Sequence, residues 1–242
     1  MTALLRMEGV VAGYGRGDIL RGIDLQLEDG TITCLVGPNG AGKSTVLKTL
    51  SGLLRPRAGT IVFANEQITR ASPAELLARG IVHVAQERSL FPLMTLWDNL
   101  LMGGHILRDR LLVQRRAAAI AERFELVRER RNERAGALSG GQQKLVEIAR
   151  ALMLEPRLIL LDEPTMGLDP KARHLMFEMV AELNAEGRTV LLVEQNARAG
   201  LAIAHSGAVL DGGCVALTGA GASLLDDPRV AELYLGGAPA AA

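Results

Sequence analysis

Between Gly37 and Thr45 the chain reads GPNGAGKST, a G-x-x-x-x-G-K-[ST] spacing whose chemistry is the holding of phosphate. Gly40 and Gly42 carry no Cβ, so backbone N–H groups there are free to turn toward phosphate oxygens. Gly37, Pro38, Asn39 and Ala41 complete the loop. Lys43, Ser44 and Thr45 open a helix behind it, and the dipole of that helix favours an anion at its N-terminus. Lys43 is long enough to reach β and γ phosphates, and the Ser44 hydroxyl is an oxygen ligand suited to Mg²⁺. A second group of candidates stands in LILLDEPTMGLDP, Leu158 to Pro170. Asp162 ends an apolar run, the place where open α/β sheets bind their ligands. It is expected to hold Mg²⁺ through water, and Glu163 to polarise an attacking water.

Two further segments carry chemistry. LSGGQQK, Leu138 to Lys144, offers Ser139 as a helix cap, with Gly140 and Gly141 leaving the helix N-terminus clear for an anion and Gln142 following them. A second anion site is surplus in a chain that works alone. It makes sense if this helix end reaches a γ phosphate held by another chain. LLVEQNAR, Leu191 to Arg198, reads as a buried strand that runs out into Glu194, Gln195 and Asn196. Gln195 can donate and accept hydrogen bonds, but unlike imidazole it carries no proton near neutral pH.

These residues need a scaffold of strands and helices. TITCLVG, IVHVAQ, LILLDE and TVLLVEQ each read as a strand buried on both faces, and the helical patterns GKSTVLKTLSGLL, SGGQQKLVEIARALML and PKARHLMFEMVAELNAEG lie among them. That alternation predicts a parallel α/β sheet. Residues 1–33 and 56–69 break the rhythm with hairpin-like strands. Residues 87–150 read as an inserted helical lobe, so the core is expected over 1–86 and 151–242. The 242 residues, 48% hydrophobic, suffice for one large domain or a core with a smaller lobe. Lys+Arg and Asp+Glu are both 27, so no general basic footprint for nucleic acid exists. Cys34 and Cys214 sit in apolar strand-like runs and are expected to be core thiols. The four histidines, His83, His105, His174 and His205, are expected in ordinary core or surface positions. No signal peptide and no apolar run of ~18 residues is visible, which predicts a soluble, cytoplasmic protein.

Taken in order, GYG with Tyr14, GPNGAGKST, VAQ with Gln86, LSGGQQK, LILLDEP and GLD with Asp169 make the chain resemble, over essentially its whole length, the nucleotide-binding subunit of an ATP-binding cassette (ABC) transporter. The resemblance implies an α/β fold: a P-loop NTPase core with a mostly parallel sheet, an antiparallel β subdomain and an inserted helical subdomain. It also implies that two cassettes sandwich two ATPs, each between one phosphate loop and the opposite signature. Tyr14 would then stack on adenine, Gln86 would ligate Mg²⁺ and link core to helical lobe, and Asp169 would cross to the partner cassette.

SLFPLMTLWDNLLMGG and VAELYLGG are similar to the LivF-type cassette of branched-chain amino acid importers, and urea-importer cassettes look alike. That resemblance implies membrane permeases, a periplasmic binding protein and a peripheral place at the cytoplasmic face of the inner membrane. Gln195 departs from the histidine most ABC cassettes carry there, although LivF-type cassettes often show VEQN. The departure keeps a weakly hydrolysing regulatory cassette open as an alternative. A soluble ABC ATPase acting on ribosomes, DNA or iron–sulfur assembly is disfavoured by the single cassette and the neutral charge.

Overall fold

The computed structural model describes residues 3–235. Its strands are β1 (Ala3–Ala12), β2 (Leu20–Glu28), β3 (Ile32–Val36), β4 (Ala58–Phe63), β5 (Glu66–Gln67), β6 (Ile81–Val84), β7 (Leu158–Asp162), β8 (Thr189–Val193), β9 (Ser206–Asp211) and β10 (Cys214–Ala220). Its helices are α1 (Lys43–Leu50), α2 (Pro73–Ala78), α3 (Leu96–Gly103), α4 (Arg110–Arg123), α5 (Glu125–Glu129), α6 (Gly140–Leu152), α7 (Pro170–Ala185), α8 (Ala197–Ile203), α9 (Gly221–Leu225) and α10 (Pro228–Leu235).

A six-stranded sheet in the order β10-β9-β3-β8-β7-β6 is parallel except at its β10 edge. A four-stranded antiparallel sheet runs β2-β1-β4-β5. Strands β3, β7 and β8 bury every residue, as a parallel strand covered on both faces requires. Their period-2 alternation divides the interior in two. Leu158, Leu160, Leu191 and Val193 point toward α1 and the antiparallel sheet, packing with Val46, Leu47 and Leu50. Ile159, Leu161, Val190 and Leu192 point the other way, into a core shared with Val146, Ile148 and Leu152 of α6 and Val180 of α7.

Between β6 and β7 the elements are helical, α3 to α6 with one short 3₁₀ turn. The strand, helix and hairpin readings land on the elements named for them. The histidines also fall as expected: His83 on β6, His174 on α7, His105 just past α3 and His205 just before β9. One expectation fails. Cys34 is buried, but Cys214 is exposed. Strand β10 is the sheet's edge and exposes every second residue, so its apolar sequence does not imply a core position. The sequence ending VAELYLGG extends beyond the described residues.

Candidate functional site

The phosphate-binding segment is positioned by β3, which carries the chain out of the buried core at Val36, and by α1, which begins at Lys43. Gly40 and Gly42 have φ of 83° and 107°, conformations that an L side chain rarely adopts. A Cβ at Gly42 would also meet Leu20 Cδ2 at 2.9 Å, whereas one at Gly40 would meet nothing within 4 Å. The first glycine therefore faces open space and the second lets the loop close onto β2. Lys43 is buried and donates to the Gly37 carbonyl at 2.8 Å and the Pro38 carbonyl at 3.1 Å. Burial pulls its pKa down, while Glu163 and Asp162 hold it up.

Two residues 118 apart in sequence meet beside this loop: Ser44 Oγ donates to Asp162 Oδ1 at 3.1 Å. Asp162 is 3% exposed. Burial raises its pKa, and the Ser44 hydrogen bond opposes that rise. A buried carboxylate and a hydroxyl at the open side of a phosphate-type loop are hard oxygen donors of the kind Mg²⁺ takes. The pair fits that ion on chemistry. Glu163 follows with φ 45°. Such a conformation costs on the order of 1–3 kcal/mol for a residue with a side chain. It is held by Glu163 N–H donating to the Val193 carbonyl at 2.9 Å and by Met166 N–H donating to the Glu163 carbonyl at 3.1 Å. Each fully buried leucine of β7 and β8 contributes roughly 1.5–3 kcal/mol, so the strands anchor the strained turn with ease.

Glu163 Oε1 lies 3.9 Å from Lys43 Nζ. Gln86 Nε2 donates to Glu163 Oε2 at 3.1 Å, so Gln86 meets the acidic pair through Glu163. Gln195 is exposed just past β8, and its Nε2 donates to Asn39 Oδ1 at 3.5 Å. The fold thus brings Asn39, Lys43, Ser44, Gln86, Asp162, Glu163 and Gln195 to the C-terminal ends of β3, β6, β7 and β8.

The signature lies elsewhere. Ser139 Oγ accepts from Gln142 N–H at 3.3 Å, and Gln142 Oε1 accepts from Ser139 N–H at 3.0 Å. This reciprocal cap is the one expected of Ser139, and it engages Gln142 as well. Asp169 Oδ1 caps α7, accepting from Lys171 and Ala172 N–H at 2.9 and 3.0 Å. Ser139, Gly140, Gly141, Gln142 and Asp169 line one cavity of about 350 Å³, and none of the phosphate-loop residues lines it. Tyr14 is 49% exposed in the β1–β2 connection, with Lys48 Nζ 5.8 Å from its ring centre.

Sequence reasoning missed a clamp between α6 and the segment after β6. Lys144 Nζ donates to the Ala85 carbonyl at 2.8 Å and ion-pairs with Glu147 Oε2 at 2.7 Å. Glu147 Oε1 accepts from Ser89 N–H at 2.5 Å, and Arg150 donates to the Ser89 carbonyl at 2.9 Å. The signal was present: positions 144, 147 and 150 share one helical face. Also missed was the hydrogen bond from the Thr165 hydroxyl to Glu194.

The profile of the ABC transporter family matches residues 20–166. This chain belongs to the ABC transporter ATP-binding family. Cassettes of this family bind and hydrolyse ATP. The high-affinity branched-chain amino acid transport ATP-binding protein BraG of Pseudomonas aeruginosa is 38% identical over 97% of this cassette and 100% of its own length. The lipopolysaccharide export ATP-binding protein LptB of Acidithiobacillus ferridurans is 35% identical over 98% of each chain. A nucleotide-free ATP-binding cassette from an ABC transporter superposes with a TM-score of 0.87 at 34% identity, covering 98% of this cassette and all of that one. Among the described residues, no helix of the cassette is long and apolar enough to cross a membrane.

Proposed function

We propose that this cassette hydrolyses ATP to power import, and that the cargo is a branched-chain amino acid. The ATPase chemistry rests on one relationship, the Glu163 carboxylate standing 3.9 Å from Lys43 Nζ at the mouth of the phosphate loop. In this reading the backbone N–H groups of Gly37 to Thr45 and the Lys43 ammonium hold the β and γ phosphates, with Tyr14 against the adenine. Ser44 and Asp162 would hold Mg²⁺, with Gln86 as a further ligand. When bound, the ion offsets the charge that builds on the phosphate oxygens. Glu163 takes a proton from a water whose oxygen attacks the γ phosphorus, and the bond to the β-phosphate oxygen breaks. Gln195 senses the γ phosphate through its amide.

The separation of the signature from the phosphate loop supports the sandwich. A helix N-terminus that lines its own cavity with Asp169 has no use for its own chain's nucleotide, so a second cassette supplies one. A permease partner finds support in a cavity of about 450 Å³ lined by Ser89, Phe91, Met102, Glu147 and Arg150. Phe91 on its wall is 45% exposed and Leu93, two residues on, is 80% exposed, an apolar display of the kind that marks a protein interface. The clamp on Ser89 gives that cavity a mechanical route to α6 and the signature.

The cargo reading rests on the full-length similarity to BraG and on the VEQN ending of β8. LptB, an export protein, is nearly as similar, so direction needs its own test. Uptake of labelled leucine is expected to fall in a strain lacking this chain and to return with the native gene. Unchanged uptake there, with loss of an exported glycolipid, would reverse the assignment. Phosphate release from the purified chain is expected to vanish in Glu163→Gln. Undiminished release would remove Glu163 from the chemistry.

A further inference from the structure

One residue past strand β8 stands a carboxylate that takes no part in that reaction. Glu194 is 2% exposed, and a carboxylate in that setting is costly unless partnered. Its partner is Thr165, whose Oγ donates to Glu194 Oε1 at 2.8 Å. Thr165 is itself buried and stands between Glu163 and Asp169 in the loop from β7 to α7. Two tight turns overlap in that loop: Met166 N–H returns to the Glu163 carbonyl at 3.1 Å and Leu168 N–H to the Thr165 carbonyl at 3.2 Å. Arg173 of α7 closes the far end, donating to the Leu168 carbonyl at 3.4 Å. Burial raises the Glu194 pKa, and the Thr165 hydrogen bonds and the Arg173 charge oppose that rise.

On the other side, α8 packs so close that a Cβ at Gly200 would meet Glu194 Cβ at 3.1 Å and Cys34 Sγ at 2.6 Å. Glu194 is thus fixed against the central strands, and it holds Thr165 from below. The left-handed turn at Glu163 persists only if its surroundings determine it, and Glu163 is two residues from this tether.

We infer that Glu194 and Thr165 are positioning residues: their hydrogen bond fixes the Glu163–Asp169 loop to the end of β8, and so sets the Glu163 carboxylate and the adjoining Gln195 in one frame. The pair couples the segment past β8 that carries Gln195 to the loop that carries Glu163, and it does so with a buried contact. This inference rests on the reading of Glu163 as the base.

The test compares Thr165→Val, Thr165→Ser, Glu194→Ala and the Thr165→Val/Glu194→Ala double variant in the full chain. It measures phosphate release, binding of a fluorescent ATP analogue and thermal unfolding. Thr165→Val and Glu194→Ala are each expected to lower kcat about tenfold to a hundredfold, as displacement of a catalytic group by up to about an ångström does. KM for ATP should stay within about twofold, since ground-state binding is untouched. The double variant should be no slower than the slower single one, because one contact is removed in each. Thr165→Ser keeps the hydroxyl and should restore turnover to near the native rate.

Losses that multiply in the double variant, a loss carried in KM, or a Thr165→Ser as slow as Thr165→Val would each overturn the inference. If Glu194→Ala does not fold, the Val and Ser variants of Thr165 decide it alone. Glu163→Gln in the same assay separates the two readings. Native turnover in that variant would dismiss Glu163 as base, whatever the Thr165 series shows.

Discussion

Ser44 Oγ donates to Asp162 Oδ1 at 3.1 Å, joining the first turn of α1 to the end of β7. With the Mg²⁺ role proposed for Ser44, Asp162 and Gln86, Ser44→Ala removes one ligand and leaves a buried carboxylate without its hydroxyl partner. The Mg²⁺ concentration that half-saturates ATP hydrolysis is expected to rise about tenfold or more, the scale of losing one hydrogen bond to a charged group. A Mg²⁺ titration of phosphate release at saturating ATP checks this. An unchanged midpoint would take Ser44 out of the metal set.

Ser139→Arg places a long cation at the exposed start of α6. The lost cap costs about 1 kcal/mol, too little to unfold a domain of this size. ATP-analogue binding should therefore stay near native while phosphate release falls at least tenfold, through obstruction of the γ phosphate presented by a second cassette. Gel filtration with ATP and Glu163→Gln in the background should show the dimer lost in the Ser139→Arg variant. Full turnover with Arg at position 139 would count against the sandwich.

Gln195 reaches Asn39 over 3.5 Å, a long contact. Gln195→Ala is expected to cost at most about fivefold in kcat, the worth of roughly one neutral hydrogen bond. Glu163→Gln should cost at least about a hundredfold, the contribution of a positioned general base. Steady-state kinetics on the two variants decide the division. Equal losses would make Gln195 as important to the rate as Glu163, and a faster Gln195→His would show that the amide limits the rate.

His83 provides a pH signature outside the nucleotide site. Its Nδ1 lies 3.2 Å from Ser51 Oγ, and its Nε2 is buried without a hydrogen-bond partner. Burial, with Lys48 and Lys144 nearby, pushes its pKa down from 6.5 to about 4. The folded imidazole stays neutral while the unfolded one gains a proton. Stability from this group is whole above about 6.5 and is lost as pH falls toward 4, by up to about 3 kcal/mol. Urea unfolding at pH 7 and pH 5 should show a smaller difference in His83→Gln than in the native chain. An identical difference would refute the assignment.

The strands and helices around the site were legible because each rests on a short-range rule. Continuous apolar runs mark β3, β7 and β8, and the glycines at 40 and 42 mark a loop whose φ only glycine tolerates well. Ser139 with Gln142 three residues later marks the cap of α6. Cys214 misled because hydropathy reports a strand's composition and not its place in the sheet. Strand β10 is an edge, and an edge has one face to spare.

Sequence alone therefore determined the candidate phosphate-binding loop, the acidic strand end, the signature and their order, each written in residues a few positions apart. The tertiary structure decided which of them meet. It set Ser44 on Asp162 across 118 residues and Thr165 on Glu194 across 29. It also left Ser139 and Asp169 together in a cavity lined by none of the phosphate-loop residues. Such pairings depend on strand order and on which face each alternating residue takes. Those are fixed only when β3, β8 and β7 lie side by side and bury both faces at once.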